Sequence, residues 1–214
     1  MKQFVILGAG GLGRQVLDQL LVDPMYRKEF DIAGFIDERG KRAVAAELGY
    51  PWLGYPSDIS LTGNHRIVVA VGDPHSRASQ VGLLISRGAR FTSLTTRCMI
   101  GARTQHGPTI FRFDVCTGVD VSIGDYGFLD QEVLIGHDSV IGDFVHMAPR
   151  CVLAGHVKVG DRVTLHSGAL IARGVVIGDD ATVGIGSVVV TDVPAGATVF
   201  GNPARVIFKK NVSK

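Results

Sequence analysis

The sequence has 214 residues, of which 46% are hydrophobic and 20% charged, a balance typical of a folded globular protein and not of a disordered chain. Its 28 glycines and its aromatic content of only 7% favour tight turns and stacked short strands over a helical bundle. The formal net charge of +2 argues against a nucleic-acid or anionic-membrane partner, while small anionic ligands are compatible with it.

Residues 1–95 are predicted to form a small α/β domain, half the size of a full dinucleotide-binding domain. Apolar runs predict strands at 4–7, 32–36 and 67–71, with a further strand at 91–92. Apolar periodicity predicts helices from the glycine-rich turn to about residue 21, at 41–48 and at 75–87. Alternating strands and helices of this kind indicate a parallel, Rossmann-like sheet.

The first predicted strand leads into a GxGxxG motif formed by Gly8, Gly10, Gly11 and Gly13, and Asp37 closes the second strand. Bare amides at a helix N-terminus can bind a phosphate, and a carboxylate placed like that of Asp37 can accept hydrogen bonds from a ribose or a base. Three interpretations are open: a phosphate-bearing ligand, an NAD site, and a purely structural turn. The missing second half of a dinucleotide fold argues against NAD.

A six-residue repeat defines residues 96–214. Every sixth position from residue 123 is aliphatic, and the next residue is usually small. The aliphatic positions are Ile123, Leu129, Ile135, Ile141, Met147, Leu153, Val159, Leu165, Ile171, Ile177, Val183 and Val189. An (Ile/Val)-Gly-Asp motif recurs every eighteen residues at 123, 141, 159 and 177.

A period of six matches neither a helix nor a single strand. Six residues a side and eighteen a turn predict a triangular parallel β-helix of five or six turns, with the aliphatic side chains inside and the small residues at the corners. Ile100 and Gly101 are one residue out of phase, which predicts an irregularity within 102–110. A β-sandwich with chance spacing is the alternative.

Histidines are the chemically active residues of the repeat region. His137 and His156 are predicted to lie about one turn apart and nearly stacked, with His146 half a turn away. His137 beside Asp138 suits a general base, although the neighbour in sequence need not be the orienting carboxylate. Metal ligation by these histidines and His166 is the alternative, and simple surface positions are another.

The segment 192–207 is rich in Pro and Gly, which predicts the end of the coil, and Lys209 and Lys210 follow it as either ligand-binding or solvated cations. The three cysteines, Cys98, Cys116 and Cys151, lack a CxxC motif, which suggests reduced thiols. The N-terminal apolar run of four residues predicts neither a signal peptide nor a membrane span. We therefore expect a cytoplasmic protein.

The hexapeptide repeats and the closing motif VVVTDVPAGATVFGNPARVI resemble the left-handed β-helix acyltransferases that use acetyl-CoA. Four further motifs, FVILGAGGLGRQV, GFID, AVGDPHSR and GHDSVIGDFVHMAP, resemble more specifically the bacterial sugar acetyltransferases of the NeuD/PglD/PerB type. The resemblance implies a left-handed parallel β-helix, a homotrimer, acetyl-CoA as co-substrate without a metal, and a nucleotide-linked amino sugar as acceptor. It places the protein in surface-glycan biosynthesis.

The resemblance also implies roles for individual residues. It makes His137 and Asp138 catalytic. It implies acetyl-CoA contacts for His146, Gly155, Ala172, Pro203 and Arg205. It implies acceptor contacts for Gly8, Gly10, Gly11, Gly13, Asp37 and Asp73. The alternatives are a sugar O-acetyltransferase on the same fold, a zinc-dependent trimeric hydratase and a non-enzymatic binding protein.

Overall fold

The chain divides into two compact units, Met1–Leu94 and Thr95–Lys214. The structure is a computed structural model, and it describes residues 2–43 and 48–209. Among these residues no helix is long and apolar enough to cross a bilayer.

The N-terminal unit is built on a four-stranded parallel sheet with the order β3-β2-β1-β4. In chain order its elements are β1 (Lys2–Leu7), α1 (Gly11–Val22), α2 (Pro24–Glu29), β2 (Phe30–Ile36), a 3-10 turn (Lys41–Ala43), β3 (Trp52–Gly54), β4 (His65–Val69) and α3 (Pro74–Ile85). The central strand β1 is apolar and fully buried over its last four residues, as expected for a parallel strand covered on both faces.

The predicted α/β class is confirmed, with differences in detail. The three main strands and the helices α1 and α3 are present with shifted ends, but 91–92 is not a strand: Phe91 only forms a single bridge to Ile67. The helix predicted at 41–48 falls partly on 44–47, which lie outside the described residues. Prediction missed β3 and α2, although Asp23-Pro24 is a helix-start signal and the Asp23 side chain accepts from the Met25 amide.

The second unit is a parallel β-helix with three faces. The first face contains β5 (Leu94–Thr95), β7 (Ile110–Phe111), β10 (Phe128–Leu129), β13 (His146–Met147), β16 (Thr164–Leu165), β19 (Thr182–Val183) and β21 (Ala197–Gly201), and it ends with the antiparallel β22 (Ala204–Lys209). The second face contains β8 (Cys116–Thr117), β11 (Leu134–Ile135), β14 (Val152–Leu153), β17 (Leu170–Ile171) and β20 (Val188–Val189). The third face contains β6 (Gln105–His106), β9 (Ser122–Ile123), β12 (Val140–Ile141), β15 (Lys158–Val159) and β18 (Val176–Ile177).

The eighteen-residue register of this coil is confirmed. Leu134 pairs with Val152 and Val140 with Lys158, each eighteen residues on. The predicted irregularity is also confirmed, because Gln105 pairs with Ser122, only seventeen residues on. The aliphatic positions of the repeat fill one continuous buried core, so each turn depends on its neighbours to bury its apolar side.

The corners are formed differently from the prediction. From Ile123 to Val183, the bend falls on the third residue after each aliphatic, which adopts a left-handed conformation, as Asp138 (φ 58°) and His156 (φ 62°) do. The preceding small residue is needed for space: a Cβ atom on Gly136 would lie 2.5 Å from the backbone of the next turn. The small residue therefore lets neighbouring turns approach, and the residue two positions later turns the chain.

Candidate active site

His137 and Asp138 lie at the corner that joins the second and third faces. Asp138 Oδ2 is 2.6 Å from His137 Nδ1, and the two side chains are 46% and 47% exposed. The Asp138 amide donates to the carbonyl of Val119 on the previous turn, which fixes this corner. If Nδ1 carries the proton donated to Asp138, the Nε2 lone pair is free to accept one, which is the arrangement a general base needs.

Gly155 lies directly against the His137 ring on the next turn. A Cβ atom on Gly155 would be 2.6 Å from His137 Nε2, so only glycine leaves room for the ring in this position. At the corner that follows the third face, the corresponding amide is capped by the next turn, as when Asp143 N–H donates to Asp161 Oδ1 at 2.8 Å. Arg173 holds the corresponding place after Gly155 and offers no acceptor. Within the described residues the Gly155 N–H donates no hydrogen bond.

His156 stands next to this pair, as its spacing predicts. Its ring centroid is 5.0 Å from that of His137, but the two rings meet edge to face at 85° and are not stacked. His156 Nε2 is 3.8 Å from Asp138 Oδ2, so one carboxylate lies between two imidazoles.

The other residues expected to contact acetyl-CoA lie apart from His137 in a single chain. His146 is on the first face, where its ring stacks on Phe128 at 5.6 Å. Ala172 follows β17 and packs against the core, while Pro203 and Arg205 belong to the hairpin that closes the coil. The predicted separation of His146 from His137 by half a turn is confirmed.

A cavity of about 300 Å³ in the N-terminal unit is lined by most of the residues predicted to contact the acceptor substrate. Its lining includes Gly8, Gly10, Gly11, Asp37 and Asp73. Helix α1 starts at this cavity with no side-chain cap and no acidic residue in its first turn, so its N-terminal amides suit an anion.

The four glycines of the motif have different roles. Gly8 (φ 97°) and Gly13 are required for close packing, since a Cβ atom on Gly13 would lie 2.0 Å from the Gly8 carbonyl oxygen. A Cβ atom on Gly11 would meet nothing within 4 Å. Gly8 and Gly13 therefore build the turn, while Gly11 faces open space in the cavity.

The structure gives Asp37 a different environment from the one predicted. Its buried carboxylate already accepts four hydrogen bonds, from the Ala9 amide (2.8 Å) and from the amide, Nε and Nη2 of Arg39 (2.8, 2.9 and 2.8 Å). These bonds fill its acceptor positions, so no lone pair is left over for a ribose or a base. Although burial raises the pKa of Asp37, hydrogen bonds from Arg39 and the two amides hold it below its usual value.

Arg39 is the residue that sequence analysis missed at this cavity. Asp37 holds its guanidinium in a bidentate pair, yet 60% of the Arg39 side chain is exposed. A Cβ atom on Gly10 would lie 3.4 Å from Nη2 of Arg39, so the cation extends across the glycine-rich turn. The sequence did offer a signal for this residue, because an arginine stands two positions after Asp37, the acid that directly follows β2.

Asp73 acts as the N-cap of α3, where its Oδ1 accepts from the Ser76 amide at 2.7 Å. This hydrogen bond is the main cause of its lowered pKa. Arg77, one turn further along α3, is fully buried and donates to the Val71 carbonyl at 2.7 Å, which supports the wall of the cavity. Burial lowers the pKa of Arg77 to about 9.

Cys98 and Cys151 have no catalytic environment. Cys151 is buried in the coil, and burial raises its pKa to about 12. Burial likewise raises the pKa of Cys98 to about 11. Thiols with such pKa values are protonated at neutral pH and do not act as nucleophiles.

Comparisons with known proteins agree with this fold. The sequence model of the PglD N-terminal domain family matches residues 3–82. WeeI from Acinetobacter baumannii AYE is 28% identical, with a TM-score of 0.83 over 97% of this chain and 100% of that one. PerB from Caulobacter crescentus, solved with CoA and GDP-perosamine, is 28% identical, with a TM-score of 0.85 over 96% of this chain and 97% of that one.

The acetyltransferase domain of PglB from Neisseria gonorrhoeae FA1090 is 24% identical, with a TM-score of 0.86 over 97% of this chain and 100% of that one, and it supports the fold alone. No curated protein sequence matches the chain.

The α/β unit, the parallel β-helix and these relatives define the protein as an acyltransferase. Residues 3–82 match the PglD N-terminal domain family, and the chain as a whole is similar to WeeI and PerB, in line with the resemblance of its sequence motifs.

Proposed function

We propose that the protein transfers the acetyl group of acetyl-CoA to the amine of a nucleotide-linked amino sugar, with His137 as general base. The observation that carries the proposal is the hydrogen-bonded His137–Asp138 pair, whose imidazole lies against Gly155. The fold around this pair is similar to that of a perosamine N-acetyltransferase solved with CoA and GDP-perosamine. Both substrates are cytoplasmic metabolites in bacteria, so we place the reaction in the cytoplasm.

The chemistry requires a base because an ammonium nitrogen has no lone pair with which to attack a thioester. Neutral His137 first accepts a proton from the ammonium, which frees the nitrogen lone pair to form the C–N bond with the thioester carbon, and Asp138 stabilises the imidazolium. The C–S bond then breaks and the thiolate takes a proton. Two protons leave the nitrogen in total: one ends on CoA and one in solvent. Proton transfer of this kind contributes roughly 10²–10⁴ to the rate.

The Gly155 amide supplies the oxyanion contact in this proposal. Its N–H donates no hydrogen bond among the described residues, and the residue itself faces the His137 ring. A preorganised donor at the tetrahedral oxygen is worth about 3–4 kcal/mol of transition-state stabilisation.

The cavity of the N-terminal unit is the proposed acceptor site. The uncapped start of α1 and the Arg39 guanidinium both point positive charge at the space beside Gly10 and Gly11. Two positive elements at one place suit the diphosphate of a nucleotide sugar. Asp37 then acts by positioning Arg39 and the turn, and not as a direct ligand of the nucleoside.

A homotrimer is part of the proposal. The outward side chains of the second face are all apolar or thiol: Cys116, Leu134, Val152, Leu170 and Val188. Such a stripe is typical of a surface that another chain covers. Acetyl-CoA would bind between chains, where His146, Ala172, Pro203 and Arg205 of one copy could approach His137 of another.

The direct test measures CoA thiol release from acetyl-CoA with a panel of UDP-, dTDP- and GDP-linked amino sugars. The matched control is the same nucleotide sugar with a hydroxyl in place of the amine. We expect release with at least one amino sugar, and a product whose acetyl group survives mild alkali. If CoA is released only with the hydroxyl sugars, and the product is an alkali-labile ester, the enzyme is an O-acetyltransferase instead. If CoA release never exceeds the rate of acetyl-CoA hydrolysis without acceptor, acetyl transfer to these acceptors is contradicted.

A further inference from the structure

We propose that His137, Asp138 and His156 form a binding site for a zinc-type divalent cation, and that the bound ion switches off His137 as a base. The ion site itself stands on geometry alone, while its effect on acetyl transfer rests on the proposed function.

The three side chains offer the right kinds of atom at the right separation. One ligand atom from each lies within 4.8 Å of the other two. Asp138 Oδ2 is 2.6 Å from His137 Nδ1 and 3.8 Å from His156 Nε2. Ligand atoms around a tetrahedral zinc lie about 3.3 Å apart, as its bond lengths of about 2.0–2.1 Å require. The 2.6 Å pair must open by about 0.7 Å, the 3.8 Å pair must close by about 0.5 Å, and the two histidine nitrogens, within 4.8 Å of each other, must close by up to about 1.5 Å. Rotation of these exposed side chains can supply such shifts, and a fourth position is left for water.

Access and neighbouring charge also permit an ion. The side chains are 45–47% exposed, so a hydrated cation can reach them. Arg103, a cation that interacts electrostatically with Asp138, is held in a bidentate pair with Asp120 (2.5 and 2.6 Å). Two imidazoles with one carboxylate suit zinc, whereas magnesium prefers an all-oxygen set of ligands.

The fold itself has no need of the His156 imidazole. His156 occupies a left-handed corner (φ 62°), and glycine serves the same position in the following turns as Gly168, Gly174 and Gly186. An imidazole here places a third ligand beside the catalytic pair without forming a packing contact that the coil requires.

Inhibition follows from where the His137 proton must reside. As a base, His137 carries its proton on Nδ1, toward Asp138, and uses the Nε2 lone pair. A cation bound to Nδ1 occupies the Nδ1 lone pair and leaves the proton on Nε2. The Nε2 atom then has no lone pair with which to accept a proton from the substrate. Coordination through Nε2 would occupy the reactive lone pair itself. Either mode removes the base.

The first experiment measures zinc binding without reference to activity. Protein freed of metal by chelator dialysis is titrated with ZnCl2 in a calorimeter, with MgCl2 as the comparison ion. His156→Gly removes one ligand with no strain at its corner, and His166→Gln is the matched control, because it removes an exposed histidine elsewhere on the coil. We expect one Zn2+ per chain in the unmodified protein and in H166Q, at least tenfold weaker binding in H156G, and no binding of Mg2+ at this site.

The second experiment measures acetyl transfer at increasing ZnCl2. We expect inhibition that chelator reverses, with a half-inhibitory concentration at least tenfold higher in H156G than in H166Q. Equal zinc affinities in all three proteins would overturn the site, and zinc bound at this site without inhibition would overturn the switch. A protein that binds zinc as expected but transfers no acetyl group would contradict the proposed function and leave the ion site standing.

Discussion

Gly155 and His137 are fitted to each other across one turn of the coil. A Cβ atom at Gly155 would lie 2.6 Å from His137 Nε2 and 2.8 Å from Cε1. The corner position itself tolerates side chains, since Val119, His137 and Arg173 occupy it in other turns. The restriction to glycine therefore comes from the imidazole and not from the coil.

Gly155→Ala should displace the imidazole and lower kcat by at least about a hundredfold, the size of a general-base contribution. The measurement is steady-state CoA release in single and double variants. In a His137→Ala background the added methyl has no ring to displace, so G155A should change neither activity nor melting temperature further. Additive losses in the double variant would show that Gly155 acts independently of His137.

Asp138→Asn should lower kcat by at least about tenfold, because an amide does not stabilise the imidazolium and favours the wrong tautomer. The KM for acetyl-CoA should stay within a factor of two or so, since uniform binding is not altered. A proton-transfer role predicts a change in the pH profile of kcat as well. An unchanged profile with lower activity would indicate a structural role for Asp138.

Arg39→Gln should raise the KM for the nucleotide sugar about ten- to a hundredfold, the equivalent of one charged contact, while the KM for acetyl-CoA is unchanged. Arg42→Gln is the matched control, because it removes the same charge three residues away. Calorimetry should show the loss for a nucleoside diphosphate and not for the free nucleoside. An equal loss for both ligands would place Arg39 away from the phosphates.

Asp37→Asn should destabilise the N-terminal unit by about 1–3 kcal/mol at pH 7, since it weakens charged hydrogen bonds to Arg39 and Ala9. The folded-state pKa of Asp37 lies below its unfolded value, so its stabilising effect is present above about pH 4 and is lost as pH falls through the folded-state pKa. Thermal melts of both proteins should therefore converge as the pH falls below the folded-state pKa of Asp37. A difference that persists there would assign the loss to packing.

Periodicity predicted the coil well because its core repeats at fixed spacing. One aliphatic per six residues determines which side chains face inward, and the eighteen-residue register then brings His137, Gly155 and His156 together. Contacts that depend on side-chain direction were not predictable. Spacing alone could not show that Asp37 is saturated by Arg39, or that the rings of His137 and His156 meet edge to face. The helix α2 was missed because six residues are too few for apolar periodicity to register.

The most direct test of the account compares the initial rate of acetyl transfer by His137→Ala with that of the unmodified protein, with acetyl-CoA affinity measured on both by calorimetry. The account predicts at least about a hundredfold lower kcat with acetyl-CoA affinity within about a factor of three. Turnover close to that of the unmodified protein would contradict the assignment of His137 as the base.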